Sequence, residues 1–305
     1  MHQVKLIAPA KVNLVLAVGG VREDRYHTVD TVIHALALHD TLEMRRTQLD
    51  DRDGEGLEVA LETEVLGGVG ELSIPAKENI VYRAVFLLAE ALGRDKSEHI
   101  HVTLTKRIPH QAGLGGGSAD AAAALMGAAL LWGVDLGDER IHEVAVHLGV
   151  DVAFFLHGGC VYLTGKGECP DHRLAPRKDF VVLIHPNEGI STKEAYAAFD
   201  EAPCFPAPDF VASLSHLVSA DDVEPWNNLQ EAAARLVPTL NEVYDLLATS
   251  EGVRSWVLCG SGSAVCGFCD SFDAARAVSV EAHKRNWWSR VTSLADMGAC
   301  VLEAH

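Results

Sequence analysis

The segment Lys106 to Gly133, KRIPHQAGLGGGSADAAAALMGAALLWG, constrains this chain more than any other. An alternating run leads into glycines 113, 115, 116 and 117 and Ser118, and the alanine-rich stretch that follows predicts a helix over Ala119–Trp132. Glycine inside regular structure costs about 1 kcal/mol against alanine, so the cluster needs a reason. A strand, a glycine loop and a helix start in succession gather unpaired N–H groups and the positive helix end at one point. That is a ready anion site, and phosphate is its usual occupant. Without Cβ atoms the backbone can wrap the anion closely, and Ser118 offers a cap to the helix or a hydroxyl to a metal or phosphate. Two familiar phosphate motifs do not fit. GKG at Gly165–Gly167 lacks the upstream spacing and hydroxyl of a Walker loop. The dinucleotide fingerprint needs a glycine where Ser118 stands, directly after the first strand of a βαβ unit.

Around the loop, VKLIAPAKVNLVLAVGG reads as a strand pair or bent strand interrupted at Pro9. TVDTVIHALALHDTLEMRR reads as strand, turn at His39-Asp40, strand. Short strands are expected at Leu57–Leu61 and Glu71–Ile74, a helix from Asn79 to Gly93 and a strand over HIHVTLTKRIP. A helix over DERIHEVAVHLG leads into VDVAFFLHGGCVYLTGKGE, which reads as strand with a turn at Gly158-Gly159. From about Asp171 the texture changes. DFVVLIHP is a buried strand, TKEAYAAFD a helix, EAPCFPAPDF a proline-rich loop, and NNLQEAAARLVPTLNEVYDLLATS helical with a break at Pro238. SWVLCGSGSAVCGFC is strand, glycine turn and strand, followed by the helix SFDAARAVSVEAHK and a last strand, ACVLEAH. NWWSR at Asn286–Arg290 reads as core packing. Strict βαβ alternation is missing, so the class is α+β in two domains, 1–170 and 171–305.

Composition bounds the function. With 25 Lys+Arg against 43 Asp+Glu the formal charge is −18, a surface that repels polyphosphate backbones and argues against nucleic acid as partner. No apolar run approaches a membrane span, and the opening stretch shows neither a signal h-region nor a transit pattern, so no membrane partner and a cytoplasmic location are expected. Seven cysteines suit reduced thiols. Cys266 and Cys269 form a CxxC near Cys259, but no second CxxC or close His completes a zinc set, and buried thiols are the better reading.

Three stretches in order, APAKVNLVL (Ala8–Leu16), IPHQAGLGGGSADAAAAL (Ile108–Leu125) and CGSGSAVCGF (Cys259–Phe268), resemble the three motifs of the GHMP kinase superfamily. REDRYHTVDTV, LGVDVAFFLHGG, EGISTKEAY and WNNLQEAA narrow the resemblance to the 4-diphosphocytidyl-2-C-methyl-D-erythritol kinases, over nearly the whole chain. The resemblance implies an N-terminal domain like the second domain of ribosomal protein S5 and a ferredoxin-like C-terminal domain. It also implies a small cytidyl diphosphate alcohol as substrate and ATP with Mg2+. The reaction would be phosphorylation of the substrate 2-hydroxyl, in non-mevalonate isoprenoid precursor synthesis.

By the same resemblance Asp151 takes the hydroxyl proton, Lys11 is its partner, and Asn13 contacts substrate from the same strand face. Tyr26 would stack on the cytosine, His27 would hydrogen-bond it, and Tyr196 would close the stack. Pro109, Gly113, Leu114, Gly115, Gly116, Gly117 and Ser118 would cradle the ATP phosphates. Asn79 and Lys106 would lie near the adenosine, and Gly260, Ser261 and Gly262 would line the cleft by the substrate. The residues alone also speak. An Asp among Val150, Val152, Phe154 and Phe155 and a lysine on an apolar strand are both costly placements, which one shared site explains together. The chain departs from the family pattern at Arg25, at Ala119, at Ala153 and over Cys259–Ala264. With Ala119 in place of a second serine, Ser118 alone is left as a hydroxyl ligand, and the residues that hold Mg2+ stay unassigned. Two alternatives stay open: another kinase of the superfamily, mevalonate-type or homoserine-type, and a non-catalytic nucleotide-binding protein on the same fold.

Overall fold

The structure is a computed structural model and describes residues 2–48, 56–70, 74–94, 98–165, 167 and 169–305. In chain order it opens with β1 (Gln3–Val21), β2 (His27–Gln48), β3 (Leu57–Val65), α1 (Ile80–Ala91) and β4 (Glu98–Lys106). Next come α2 (Gly116–Leu131), α3 (Glu139–Leu148), α4 (Val150–His157), β5 (Cys160–Thr164) and β6 (Cys169–Leu174). Then follow β7 (Phe180–His185), α5 (Thr192–Glu201), α6 (Pro208–Leu214), β8 (Trp226–Asn227), α7 (Gln230–Leu236) and α8 (Thr239–Thr249). The chain finishes with β9 (Val253–Leu258), β10 (Val265–Cys269), α9 (Phe272–Lys284), β11 (Trp288–Ser293) and β12 (Cys300–Ala304). This is the expected α+β class.

One sheet runs β12-β1-β2-β4-β3, with β5 and β6 continuing from the first half of β2 and β8 alongside β1. The second runs β11-β7-β10-β9, every pair antiparallel. Helices α1 to α4 bury their apolar residues on the first sheet; α5, α7, α8 and α9 cover the second. Between the sheets, Ala10, Val12, Leu14 and Leu36 meet Val181, Leu183, Cys266 and Phe268. With a period of two along the strand, Lys11 and Asn13 are thereby turned the other way.

β1 is one continuous bent strand. Its pairing with β2 slips between Pro9 and Lys11, where proline has no N–H to give. The slip frees the Lys11 N–H, which donates to Leu114 O of the glycine loop at 3.0 Å. The sheet thus holds the loop directly at Lys11.

Four expectations need correction. The His39-Asp40 turn is absent: β2 runs straight through, because Asp40 is fully buried and its carboxylate is occupied by Lys106 and the N–H groups of Arg107 and Ile108. VDVAFFLH is helix α4, not strand. A short apolar run fits either a buried helix or a buried strand, and here glycines 149 and 158 bound a helix whose first turn carries Asp151. Helix α2 starts at Gly116, three residues before the expected Ala119. Gly115, at φ 72°, therefore holds the N-cap position, and Ser118 lies inside the first turn rather than capping it. EAPCFPAPDF is not all loop, since Pro208 starts α6 from the first helical position. Of the expected Glu71–Ile74 strand, residues 71–73 lie outside the described residues. Trp287 and Trp288 of NWWSR are buried, and Trp288 opens β11, which the sequence reading lacked.

Candidate active site

A cavity of about 630 Å³ opens where the first turn of α2, the bend of β1, the start of α4 and the β9–β10 turn meet. Lys11, Asn13, Asn79, Lys106, Pro109, Gly113, Leu114, Gly115, Gly116, Gly117, Ser118, Asp151, Tyr196, Gly260 and Ser261 all line it. Three expected residues do not: Tyr26, His27 and Gly262.

The geometry tightens around Lys11, which is 5% exposed. Its Nζ donates to Asn13 Oδ1 at 2.5 Å and lies 3.9 Å from Asp151 Oδ2. Asn13 is oriented in turn by donating to Thr31 Oγ1 at 2.9 Å, and Thr31 donates to Val15 O at 2.6 Å. Close backbone approach explains two of the loop glycines. A Cβ on Gly113, at φ 75°, would sit 1.7 Å from Cys259 O. One on Gly115 would meet Phe155 at 2.9 Å and the Lys11 stem at 3.0 Å. The third motif is bonded to the second, since Ala264 N–H donates to Ala112 O at 3.0 Å. Asn227 then holds the turn from behind, donating to Leu258 O and Gly260 O at 2.8 and 2.7 Å.

Lys106 is buried, and its ammonium donates to the carboxylates of both Asp40 and Asp120. Burial works against its charge, but the two carboxylates outweigh it and raise the lysine pKa. Burial, with Asp40 adding to it, raises that of Asp120 despite the neighbouring ammonium.

At another edge, His27 is held between Gly19 O (Nδ1, 2.8 Å) and Asp200 Oδ1 (Nε2, 3.1 Å). Its ring centroid is 5.3 Å from that of Tyr196 and 5.9 Å from that of Phe199. Tyr26 is exposed in the β1–β2 turn. Burial, with Asp151 adding to it, pushes the Tyr196 phenol up to about 12. Thr192, at the start of α5, meets Ser261 across the mouth, hydroxyl to hydroxyl at 3.2 Å.

Sequence reasoning missed Asp40, Asp120, Asn227, Thr31 and Thr192. Only Asn227 left a trace, as one of two polar amides entering an apolar helix in WNNLQEAA. Asp40 and Asp120 look like turn and helix-surface residues until the fold buries them.

Known proteins resemble this chain in sequence and fold. The family model of the GHMP kinases N terminal domain matches residues 79–159, and that of the GHMP kinases C terminal region matches residues 212–287. A protein of Desulfitobacterium hafniense (strain Y51), named 4-diphosphocytidyl-2-C-methyl-D-erythritol kinase, is 35% identical over 97% of this chain and 98% of its own length.

The chain belongs to the GHMP kinases.

A crystal structure of 4-(cytidine 5'-diphospho)-2C-methyl-D-erythritol kinase superposes on this GHMP kinase with a TM-score of 0.72 and 32% identity, covering 95% of this chain and 99% of that one. A homoserine kinase from Cytophaga hutchinsonii, 21% identical, superposes with a TM-score of 0.70 over 99% of this chain and 98% of its own, a likeness of fold. Membership makes the chain an ATP-using phosphotransferase for a small molecule. Among the described residues no helix is long and apolar enough to cross a membrane.

Proposed function

We propose that this GHMP kinase transfers the terminal phosphoryl group of ATP to the 2-hydroxyl of 4-diphosphocytidyl-2-C-methyl-D-erythritol, as a cytoplasmic enzyme of isoprenoid precursor synthesis. The observation that carries this is the pairing of Lys11 with Asp151 in a chain that matches a kinase of that name along almost its full length. Phosphoryl transfer needs alignment and positive charge more than covalent help. Asp151 accepts the proton of the attacking hydroxyl. Lys11 offers its ammonium to the oxygen charge that builds on the moving group. The amides of Gly115–Gly117 at the positive end of α2 take the ATP phosphates, with Pro109, Gly113 and Leu114 shaping the loop and Asn79 and Lys106 beside the nucleoside. Asn13 and the turn Gly260–Gly262 flank the substrate alcohol, and His27, Tyr196 and Tyr26 form the edge that reads its base. The cleft so used lies between the units 1–170 and 171–305.

Mg2+ would draw phosphate charge into the same corner. Among the described residues no group of three or more His, Cys, Asp or Glu side chains forms a metal cage. Mg2+ in nucleotide sites generally keeps several waters and takes phosphate oxygens plus one or two protein oxygens. Ser118, half-buried on the cavity wall, would supply one. Asp120 is unsuited, because its Oδ2 is taken by Lys106 and its Oδ1 is closed off from solvent.

The test is ADP release measured over a small panel of alcohols, with and without Mg2+. Turnover is expected with the cytidyl compound and Mg2+ only. Saturation by mevalonate or homoserine without response to the cytidyl compound overturns the assignment.

A further inference from the structure

The glycine loop leaves β4 at Lys106 and rejoins regular structure in α2, and both ends are tied to one ammonium. Lys106 Nζ donates to Asp120 Oδ2 at 2.6 Å, one turn inside α2. It also donates to Asp40 Oδ2 on β2. The other oxygen of Asp40 accepts the N–H groups of Arg107 and Ile108, the latter at 2.9 Å, so the first two residues of the excursion are stapled as well. All three side chains are buried, Asp40 at 0%, Asp120 at 2% and Lys106 at 6% exposed. The ammonium sits under the first helical residue: a Cβ on Gly116 would come within 3.2 Å of it.

Two carboxylates around one buried ammonium are a costly arrangement to keep in a core otherwise built from alanine and leucine. Their placement shows what the cost supports. Asp120 joins the far end of the loop to its near end, and Asp40 joins both to the central strand of the first sheet. Between them the loop is held as well at Leu114 O by the Lys11 N–H of β1 and at Ala112 O by the Ala264 N–H.

We propose that Asp40 and Asp120 are positioning residues for the phosphate loop: through Lys106 they clamp its two ends together, so that the amides of residues 115–117 stand in the binding arrangement before ATP arrives. Neither carboxylate touches the reacting atoms. The inference rests on the proposed ATP contact of the loop, and it adds residues to which no role had been given.

The test uses Asp120→Asn and Asp40→Asn in the full-length protein. The amide of Asp120→Asn keeps the volume and one acceptor but replaces a hydrogen bond between two charged groups with one from the ammonium to a neutral oxygen. The KM for ATP is then expected to rise about tenfold while the KM for the alcohol and kcat stay within about twofold. Hydrogen–deuterium exchange of the protein without nucleotide is the second readout, and it does not depend on turnover. Faster exchange confined to residues 109–117 in either variant supports the clamp. An unchanged loop, or acceleration spread evenly over α2 and the first sheet, overturns it, as does an equal rise in both KM values. Should the wild-type protein turn over none of the alcohols, the proposed substrate falls, whereas the exchange measurement still decides the clamp.

Discussion

Lys11 and Asp151 face each other at 3.9 Å, the lysine side chain 6% exposed and the aspartate 33%. That separation is too long for a hydrogen bond and short enough for one substrate atom to touch both groups. Asn13 already holds the ammonium on its other side. The pair thus brackets a gap, with Asp151 the more open partner. Asp151→Asn, nearly isosteric, is expected to lower kcat by about 10²–10⁴ with the KM for ATP almost unchanged. Steady-state rates and a thermal melt of the same sample check it. Retained turnover removes Asp151 from the chemistry.

The loop glycines differ in what they do, and two alanine substitutions separate them. Gly113→Ala puts a Cβ at φ 75° against the Cys259 carbonyl, so both the second and the third motif must shift. A lower melting temperature and loss of activity are expected together. Gly117 has no such neighbour, its nearest atom being Ile80 Cγ2 at 3.8 Å, and it lies in the first turn of α2. Gly117→Ala should leave the fold as stable or add up to about 1 kcal/mol, while its methyl group holds phosphate off and raises the KM for ATP. If ATP binds both variants as it binds wild type, the loop is not the phosphate site.

Much of the site was legible because its costs are local. A lysine in PAKVNLVL and an aspartate in GVDVAFF break apolar runs, and four glycines before an alanine helix break propensity. Each anomaly shows within a few residues. Asp40 and Asp120 were hidden because their partner is 66 and 14 residues away, and neither HDT nor SADAAAA breaks a local pattern. VDVAFFLH was misread since a run of eight residues, six of them apolar, carries no period that separates helix from strand; the glycines on both sides decide it. The reach of β12 back to β1 joins the two ends of the chain, which no local pattern encodes.

Tyr196 lines the cavity and packs beside His27 at a ring distance of 5.3 Å. A base held at that edge gains roughly 1–3 kcal/mol from an aromatic face. Tyr196→Leu should therefore raise the KM for the cytidyl compound about tenfold and leave that for ATP within about twofold. Initial rates with each substrate varied in turn provide the check. A larger effect on ATP would exchange the two ends of the cleft.

His185 sets an acid limit on stability. It is 6% exposed on β7; its Nδ1 accepts the Asn187 N–H at 3.1 Å and its Nε2 has no hydrogen-bond partner among the described residues. Burial pushes its pKa down to about 4. The folded value lies below the unfolded value near 6.5, so above that pH both states are neutral and the histidine costs nothing. As pH falls from about 6.5 to 4 only the unfolded chain takes the proton, and stability drops by at most about 3 kcal/mol. His34, also buried with its pKa lowered, adds to the same window. His185→Asn keeps an acceptor for the Asn187 N–H and cannot titrate there. Urea unfolding at pH 7.5 and pH 4.5 should then show wild type losing about 2–3 kcal/mol more than the variant on acidification. Equal losses would mean that His185 is protonated in the folded protein, which requires Nδ1 to take the proton and give up the Asn187 N–H it accepts.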